Sequence, residues 1–480
     1  MNRNIAHIGT VLLGLFALLF VNLNVLTLVR SDELANHPAN RRVIIREYAI
    51  ARGPIVVGEH AIAYSQPTSG ELRYLRTYPE ATRYAHLTGY YSVVLQRSGL
   101  EAAVNDDLTG RSTEVVAQNL SELLVGDDQA GNAVVLTIDP AVQQAAETAL
   151  AGREGAIVAI EPTSGAVLAS YANPTFDPNR VSGHDTEEIQ RAWQQLHDAD
   201  DQPLIDRTRQ ELYPPGSTFK IVVAAAALES GTTPDEEFPD ERFFDVPQTT
   251  ANIRNFGGGL CADGTTIRLD DAFRVSCNTV FARLGVDLGA ETLAAQAERF
   301  GFNHTIPYVL DTVPSDFPDD LDVPSTAQSA IGQRDVRATP MQMAMIAAAI
   351  ANDGILVVPH VVQTVRDPEG GRVRAAEVAR WTGTPGDGRA VSARTAAQLR
   401  DLMVRVVQSG TGTRAQIDGV EVGGKTGTAQ TGAGSIAWFV GFAERDIAVA
   451  VVIVDTDPAD TGGSAAAPVA RAVMEAARGR

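Results

Sequence analysis

An uncharged apolar stretch near the N-terminus restricts this chain more than any other feature. Residues 5–29 contain no Asp, Glu, Lys or Arg and consist mainly of Leu, Val, Ile, Phe and Ala. About 20 such residues cross a bilayer, where a single segment must be helical to satisfy its backbone polar groups. A cleaved signal peptide would show a small-x-small site, but Arg30, Ser31, Asp32 and Glu33 follow instead. The sequence therefore predicts an uncleaved transmembrane signal anchor in residues 1–30.

The charges that flank this stretch leave its orientation open. Arg3 precedes it, and the arginines that follow it are Arg30, Arg41, Arg42 and Arg46. Counting these charges places the C-terminal side in the cytoplasm. A long C-terminal domain translocates largely regardless of such charges, so the chemistry of the domain has to decide the orientation.

The rest of the 480-residue chain is long enough for two or three domains. Its formal net charge of −20 repels phosphate and argues against nucleic-acid binding. A polar joint at residues 126–132 (GDDQAGN) predicts a boundary between a smaller unit, residues 31–130, and a larger unit, residues 131–480. The smaller unit shows no catalytic pattern, so we interpret it as a non-catalytic pedestal or dimerisation domain.

The larger unit begins with a helix and a hairpin. Asp139 and Pro140 are typical of a helix cap and of a first helical residue. Apolar runs at 156–160 and 166–171 flank turn residues and predict a β-hairpin. Residues 232–260 are polar and rich in Gly and Pro, which is typical of a loop.

The second half of the larger unit predicts helices followed by strands. A helical pattern at 269–289 is interrupted at 276–278, and Thr339 and Pro340 begin a helix that ends at Gly354 with its methionines in the core. The last predicted elements are strands at 420–429, 436–443 and 447–454 and a helix at 466–477. This order predicts an α/β (α+β) fold, with one sheet assembled from both ends of the unit and packed by helices.

The most reactive pattern lies at the start of an apolar helix. In the stretch 213–220 (YPPGSTFK), Ser217 and Lys220 stand three residues apart and share one helix face. A serine hydroxyl needs a base to become a nucleophile, and an amine shielded from water can be that base. The unpaired N–H groups of a helix N-terminus favour the developing negative charge.

The lysine content makes this pair unusual. The chain has 37 arginines but only two lysines, Lys220 and Lys425. A guanidinium stays protonated, whereas burial or a neighbouring cation can lower the pKa of a lysine. The two positions that keep lysine are therefore candidates for acid–base chemistry, and the alternative is that they are accidental survivors of codon drift.

Two further motifs and one cysteine pair complete the pattern. Ser276, Cys277 and Asn278 interrupt a helix, and Lys425, Thr426, Gly427 and Thr428 lie on a predicted strand after two glycines. Cys261 and Cys277 have no metal-ligand spacing around them. They would form a disulfide outside the cytoplasm and remain buried thiols inside it.

Ser-x-x-Lys, Ser-x-Asn and Lys-Thr-Gly in this order resemble the signature of class A β-lactamases and penicillin-binding proteins, with Cys277 in place of the usual Asp. The broader similarity is to class B penicillin-binding proteins, the monofunctional peptidoglycan transpeptidases, and among them to the short penicillin-binding protein A type. It extends over nearly the whole chain. The supporting stretches are Arg52-Gly53, 155–172, 213–220, 330–333, 338–340 and 438–442.

This resemblance implies a serine acyl-enzyme mechanism. Ser217 would attack the penultimate D-alanine carbonyl of a D-Ala-D-Ala stem peptide, and Lys220 would take its proton. Ser276 would relay that proton to the leaving amine, assisted by Lys425. An amine of a neighbouring stem peptide would then take the acyl group, and β-lactams would trap Ser217.

The resemblance also implies the binding residues. Asn278 would hold a substrate amide, and the N–H groups of Ser217 and Thr428 would form the oxyanion hole. Gly427 would let the bound chain approach the strand. The terminal carboxylate would be bound by Lys425, Thr426 and Thr428.

The remaining expectations follow from the same resemblance. It implies a serine β-lactamase-like transpeptidase domain with a central antiparallel sheet and no metal or cofactor. Nascent peptidoglycan lies outside the membrane, so we expect a single-pass protein of the bacterial cytoplasmic membrane with an extracytoplasmic catalytic domain. That location favours a Cys261–Cys277 disulfide. Implied partners are a SEDS-family glycosyltransferase and division or elongation proteins, without nucleic acid.

Other readings of the motifs predict different details. A β-lactamase would carry a Glu-x-x-Leu-Asn stretch for deacylation, and none follows the middle motif. A bifunctional enzyme would need more than about 100 residues before the boundary. A β-lactam sensor or scaffold would be expected to have a cytoplasmic signalling segment. A D,D-carboxypeptidase differs only in its acceptor and stays open.

Overall fold

The computed structural model describes residues 2–25, 45, 47–111, 130–382, 388–430, 434–457 and 460–479. Helix α1 (Asn2–Asn24) contains an 18-residue window, His7–Asn24, with a mean hydropathy of 1.7 and no part buried inside the protein. By length and composition it can cross a membrane. Residues 26–44, Arg46 and the first part of the polar joint, 126–129, lie outside the described residues, and so do the predictions made for them.

One mixed sheet forms the centre of the N-terminal part. Its strand order is β14-β13-β6-β1-β2-β3, in which β1 and β6 pair in parallel and the other pairs are antiparallel. The strands are β1 (Ile55–Val57), β2 (His60–Pro67), β3 (Tyr74–Thr77), β6 (Ala133–Leu136), β13 (Val362–Arg366) and β14 (Arg372–Ala375). The sheet thus includes strands from both sides of residue 131, a non-local pairing that no local pattern indicates. The boundary at 130/131 stays a prediction.

Short helices and strands that follow β3 in the chain pack against this sheet. They are α2 (Ala81–Thr88), the two-residue strands β4 (Tyr91–Ser92) and β5 (Gln96–Arg97), α3 (Gly99–Ala103) and α4 (Asn105–Leu108). Tyr84, Leu87, Leu100 and Leu108 from these elements are buried in the same core as Ile55 and Val134. The N-terminal part is therefore packed against the strands that begin the larger unit.

The second sheet has five antiparallel strands in the order β15-β16-β17-β7-β8. They are β7 (Gly155–Ile160), β8 (Val167–Asn173), β15 (Val422–Gln430), β16 (Ser435–Ala443) and β17 (Ile447–Thr456). This confirms the prediction of one sheet built from both ends of the larger unit. Strand β15 lies at one edge, so one side of its backbone pairs with no other strand of the described residues.

Helices pack on both faces of this sheet. Because side chains alternate along a strand, Val451 lies in one core with α5 (Pro140–Leu150) and α14 (Ala467–Ala476). Val452 lies in the other core with α7 (Lys220–Glu229), α12 (Pro340–Ala351) and α13 (Ala393–Ser409). The predicted packing by helices is confirmed.

The helix starts that the sequence predicts are present. The Asp139 carboxylate accepts hydrogen bonds from the N–H groups of Ala141 and Val142, and the Thr339 hydroxyl accepts one from Gln342. Helix α12 ends at Ala351, three residues before the predicted end, and its methionines are buried. The remaining helices are α6 (Thr186–His197), α8 (Leu269–Arg274), α9 (Asn278–Leu288), α10 (Ala290–Arg299) and α11 (Val323–Ser329).

The expectation of a plain loop at 232–260 is wrong. Strand β9 (Glu237–Pro239) pairs with β12 (Thr266–Arg268), and β10 (Phe243–Asp245) pairs with β11 (Asn252–Arg254). Each of these three-residue strands buries only its central side chain. One buried residue per strand is too short a pattern to distinguish from a loop.

Candidate active site

Ser217 lies in a 3₁₀ turn (Gly216–Phe219) that leads directly into α7. Gly216 has a φ of +53°, and its N–H donates to the carbonyl of Gly332 at 2.9 Å. A Cβ on Gly332 would lie 2.0 Å from the Gly216 oxygen, so only glycine permits this approach. The stretch 330–333 therefore supports the turn that carries Ser217.

Lys220 is the first residue of α7 and is fully buried. Its Nζ donates to the Ser276 carbonyl at 2.9 Å, to Ser276 Oγ at 3.3 Å and to Asn278 Oδ1 at 2.7 Å. Ser276 lies in the break between α8 and α9, as the sequence predicts. The first two motifs thus meet through one buried amine.

Lys425 is also fully buried and reaches the same serine from the sheet. Its Nζ lies 2.8 Å from Ser276 Oγ and 3.0 Å from the carbonyl of Thr426. Ser276 Oγ is therefore shared by the two lysines of the chain. Among the residues that the structure describes, neither lysine forms an ion pair with a carboxylate.

Burial without a counter-charge controls the protonation of both amines. Burial, together with repulsion from Lys425, lowers the pKa of Lys220 well below its usual value. Burial lowers the pKa of Lys425 to about 7. The aromatic rings of Phe281 and Phe273 lie 5.5 and 5.7 Å from the two nitrogens and, with the oxygen acceptors, partly offset this effect. Both lysines are therefore deprotonated more readily than exposed lysines, and Lys425 can exchange a proton near neutral pH.

The Ser217 hydroxyl is half-buried and makes no hydrogen bond within the described part of the chain. The described residues show no hydrogen bond between the Ser217 hydroxyl and the Lys220 amine, which is engaged by Ser276 and Asn278. Catalytic hydrogen bonds are often long or unformed before substrate binds. The serine is free to move onto a substrate carbonyl.

The third motif lies on the edge strand β15, beside the Ser217 turn. A Cβ on Gly427 would lie 2.8 Å from the Pro215 oxygen and 3.0 Å from Thr218 Cγ2. The close approach at Gly427 is thus made by the protein's own turn, whereas the sequence suggested a bound chain. Glycine at this position brings Ser217 and β15 together.

The two threonines of the motif lie on the opposite face of β15 from Lys425. Thr426 Oγ1 lies 2.5 Å from Thr411 Oγ1, and Thr428 Oγ1 accepts a hydrogen bond from the Gly462 N–H at 3.2 Å. The sequence reading missed Thr411 and Gly462. Their signals are the Gly- and Thr-rich stretch 409–413 (SGTGT) and the glycine pair 462–463.

Cys261 and Cys277 are joined in a disulfide, with their Cα atoms 5.8 Å apart. The Asp240 carboxylate lies close by and accepts hydrogen bonds from the N–H groups of Cys261 and Ala262. These three side chains have metal-ligand chemistry, but the two sulfurs are bonded to each other and the carboxylate is occupied. The cluster therefore fixes a loop to the middle motif and is unsuited to a metal ion.

Comparison with known proteins agrees with this arrangement. A model of the penicillin binding protein transpeptidase domain matches residues 155–475, and one of the penicillin binding protein A dimerisation domain matches residues 52–134. The peptidoglycan D,D-transpeptidase PbpA of Mycolicibacterium smegmatis is 38% identical over 99% of both chains. Its counterpart from Mycobacterium tuberculosis is 37% identical, again over 99% of both chains.

Solved structures show the same likeness. The ceftriaxone acyl-enzyme complex of penicillin-binding protein A from M. tuberculosis has a TM-score of 0.86 and 37% identity, covering 90% of this chain and 100% of that one. The penicillin G acyl-enzyme complex has a TM-score of 0.83 and 37% identity, with 89% and 99% covered. Since the transpeptidase model alone covers residues 155–475, the chain belongs to the family of penicillin-binding protein transpeptidases.

Proposed function

We propose that this protein is a peptidoglycan D,D-transpeptidase that cross-links stem peptides through an acyl-enzyme on Ser217 and is acylated there by β-lactams. The observation that carries this proposal is the meeting of Lys220 and Lys425 on Ser276 Oγ, beside the turn that holds Ser217. The names of the relatives and the acyl-enzyme complexes support the same chemistry.

Acylation begins when Ser217 Oγ attacks the carbonyl carbon of the penultimate D-alanine. Neutral Lys220 accepts the hydroxyl proton, since burial and Lys425 disfavour its charged form. The N–H groups of Ser217 and Thr428 stabilise the oxyanion. The C–N bond then breaks, and the leaving D-alanine amine receives a proton through Ser276 Oγ, which both lysines contact.

Substrate binding uses the edge strand and the middle motif. A peptide laid along the edge of β15 adds a strand to the sheet and brings its terminal carboxylate toward Thr426 and Thr428. Lys425, on the other face of the strand, attracts this carboxylate by its charge. Gly427 lets the turn that carries Ser217 lie against this strand. The Asn278 amide, already oriented toward Lys220, retains one acceptor site and one N–H for a substrate amide. An acceptor amine then attacks the acyl-enzyme, forms the cross-link and releases Ser217.

The membrane arrangement follows from the substrate. We assign residues 1–30 to a single-pass anchor, 31–130 to a non-catalytic pedestal or dimerisation unit, and 131–480 to a catalytic unit outside the cytoplasmic membrane. Helix α1 and the Cys261–Cys277 disulfide support this topology, because disulfides persist in oxidising compartments. A SEDS-family glycosyltransferase and the division or elongation machinery are the proposed partners.

Labelling with fluorescent penicillin tests the nucleophile. The full-length chain in detergent is expected to take a stable label, whereas Ser217→Ala takes none. Ser230→Ala, at the exposed other end of α7, is the matched control and is labelled like the wild type. Equal labelling of Ser217→Ala and the wild type would exclude Ser217 as the nucleophile, and rapid loss of label would indicate a β-lactamase.

Product analysis separates the two peptidase activities. With a stem-peptide donor and an added amine acceptor, a transpeptidase yields the acceptor-linked product and free D-alanine. A D,D-carboxypeptidase yields the shortened donor whether or not the acceptor is present. The second result would replace cross-linking by hydrolysis while leaving the acyl-enzyme assignment intact.

A further inference from the structure

Helix α9, which begins with Asn278, receives its N-terminal cap from another part of the chain. The residue before it, Cys277, makes no side-chain cap because its sulfur belongs to the disulfide. The first N–H groups of a helix have no partner within the helix. Asn255, on the loop after β11, supplies one: its Oδ1 accepts hydrogen bonds from the N–H groups of Asn278 at 3.1 Å and Thr279 at 3.0 Å.

The Asn255 side chain is held in one orientation. It is only 8% exposed, and its Nδ2 donates to the carbonyls of Glu241 at 2.8 Å and Gly259 at 3.1 Å. Both hydrogens and both acceptor positions of the amide are therefore used. A side chain satisfied in this way fixes the helix start relative to the loop, since turning the amide over would break all four of these hydrogen bonds.

Arg254, the residue before Asn255, orients the side-chain amide of Asn278. Asn278 Nδ2 donates to the carbonyl of Arg254 at 2.9 Å, which leaves Asn278 Oδ1 facing Lys220 Nζ at 2.7 Å. Residues 254 and 255 thus determine both the backbone position of Asn278 and the direction of its side chain. The shortest of the three contacts of Lys220 depends on them.

Ser276 needs the same support. It is a non-glycine residue with a φ of +63°, a conformation that persists only when its surroundings impose it. On one side, the N–H groups of Ser276 and Cys277 donate to the carbonyls of Phe273 and Ala272. On the other side, the constraint is the capped start of α9.

We propose that Asn255 is a positioning residue for acylation: by capping α9 from the loop, it holds Asn278 and Ser276 where Lys220 and Lys425 contact them. This proposal rests on the proposed function. It assigns no contact with the reacting atoms to Asn255. Loss of the cap would shift the acceptors of Lys220, and displacements of this kind at a catalytic group cost up to about a hundredfold in rate.

The test measures acylation of the full-length chain in detergent by fluorescent penicillin, separating the acylation step (k2) from binding (K). Asn255→Ala removes the cap, whereas Asn255→Asp keeps an oxygen that caps helices well. Asn252→Ala, an exposed asparagine three residues earlier, is the matched control. We expect Asn255→Ala to lose about tenfold or more in k2 with K nearly unchanged. Asn255→Asp keeps the capping oxygen but turns its second oxygen toward the carbonyls of Glu241 and Gly259, so we expect it to lose clearly less k2 than Asn255→Ala without reaching the wild-type value.

Three results would overturn this role: wild-type k2 in Asn255→Ala, equal losses in the Ala and Asp variants, or a change confined to K. If Asn255→Ala does not fold, Asn255→Ser decides: its hydroxyl is one bond shorter than the amide and draws the cap away from the N–H groups of Asn278 and Thr279, so a wild-type k2 in this variant rejects the proposal. A labelled wild type with an unlabelled Ser217→Ala keeps the proposed function whatever Asn255 does. A wild type that takes no label rejects both.

Discussion

Two buried charge clusters behave in opposite ways. In the N-terminal part, the Glu101 carboxylate lies between two arginines, 2.8 Å from Arg52 Nη2 and 2.6 Å from Arg76 Nε, with all three side chains almost fully buried. In the candidate active site, Lys220 and Lys425 are buried together, and neither has a carboxylate partner in the described part of the chain. One cluster is charge-compensated and the other is not.

The pKa values follow this difference. Burial alone would raise the pKa of Glu101, but Arg76 and Arg52 outweigh it and hold that pKa below its usual value. Burial opposes the charge of Arg52 as well, yet Glu101 and Tyr91 keep its pKa above the usual range. Burial lowers the pKa of both lysines, and Lys425 lowers that of Lys220 further, because no carboxylate in the described part of the chain compensates their burial. The paired charges of Glu101, Arg52 and Arg76 therefore stabilise the fold. The amines of Lys220 and Lys425 lose their protons more readily, which suits them to proton transfer.

The largest effect should come from replacing the buried Lys220 of the candidate active site by arginine, the cation that the chain uses at all but two of its basic positions. A guanidinium cannot accept the Ser217 proton, so Lys220→Arg should lower the acylation rate by about a thousandfold. The rate of labelling by fluorescent penicillin measures it. Arg52→Lys is the converse control in the compensated cluster and should leave the rate per folded molecule unchanged. A Lys220→Arg variant that keeps a tenth of the wild-type rate would contradict the role of Lys220 as the base.

Removing the Glu101 carboxylate should leave the two arginines of the N-terminal cluster buried without a counter-charge, as the two lysines are, and should destabilise the fold. Glu101→Gln leaves Arg52 and Arg76 buried without a carboxylate, which should lower the free energy of unfolding by about 3 kcal/mol. Urea unfolding measures the loss, and exposed Glu59→Gln serves as the control. Acylation of the folded fraction should not change. A loss below about 1 kcal/mol would show that the cluster is less tightly coupled than its geometry indicates.

The clusters should also differ in the pH range in which they affect stability. The folded pKa of Lys425 is about 7, below that of the unfolded chain, so above pH 7 the unfolded state binds more protons. The free energy of unfolding should therefore rise by about 1.4 kcal/mol per pH unit between pH 7.5 and 8.5 relative to Lys425→Met. The folded pKa of Glu101 is lowered instead, so its contribution is present above the usual glutamate pKa and is lost as acid protonates it. Urea unfolding at pH 7.5 and 8.5 measures this change. If the free energy of unfolding changed equally with pH in the wild type and in Lys425→Met, the lowered pKa of Lys425 would be contradicted.

Local signals explain what could be predicted from the sequence. The helix starts at Asp139 and Thr339 were predictable because the capping side chain and the proline after it lie within four residues of the N–H groups that they affect. The five-stranded sheet was predictable largely because strands such as β7 and β17 are mainly apolar over six and ten residues. The three chemical motifs were recognisable because each is short and the order of the three is specific to a family.

The rest depends on contacts between distant residues. Glu101 lies 49 residues from Arg52 in the chain, and no local pattern pairs them. The same holds for β13, which joins a sheet begun some 300 residues earlier. Asn255 resembles any loop asparagine until the start of α9 is placed against it. The contacts of the Lys220 amine with Ser276 and Asn278 were not predictable for the same reason, since spacing along a helix does not reveal which distant groups reach an amine.

The smallest effect should separate the two lysines from each other. Lys425→Arg keeps a cation near Ser276 Oγ and near the site proposed for the substrate carboxylate, and its fixed charge continues to disfavour protonation of Lys220. Only the fit to Ser276 and the exchange of a proton at position 425 are lost. We therefore expect a decrease of about fivefold in the acylation step, with little change in binding. The same labelling assay, run beside Lys220→Arg, measures the ratio between the variants. If Lys425→Arg were as inactive as Lys220→Arg, proton transfer would depend equally on both amines. That result would contradict the assignment of Lys220 as the base and of Lys425 as a binding group for the substrate carboxylate.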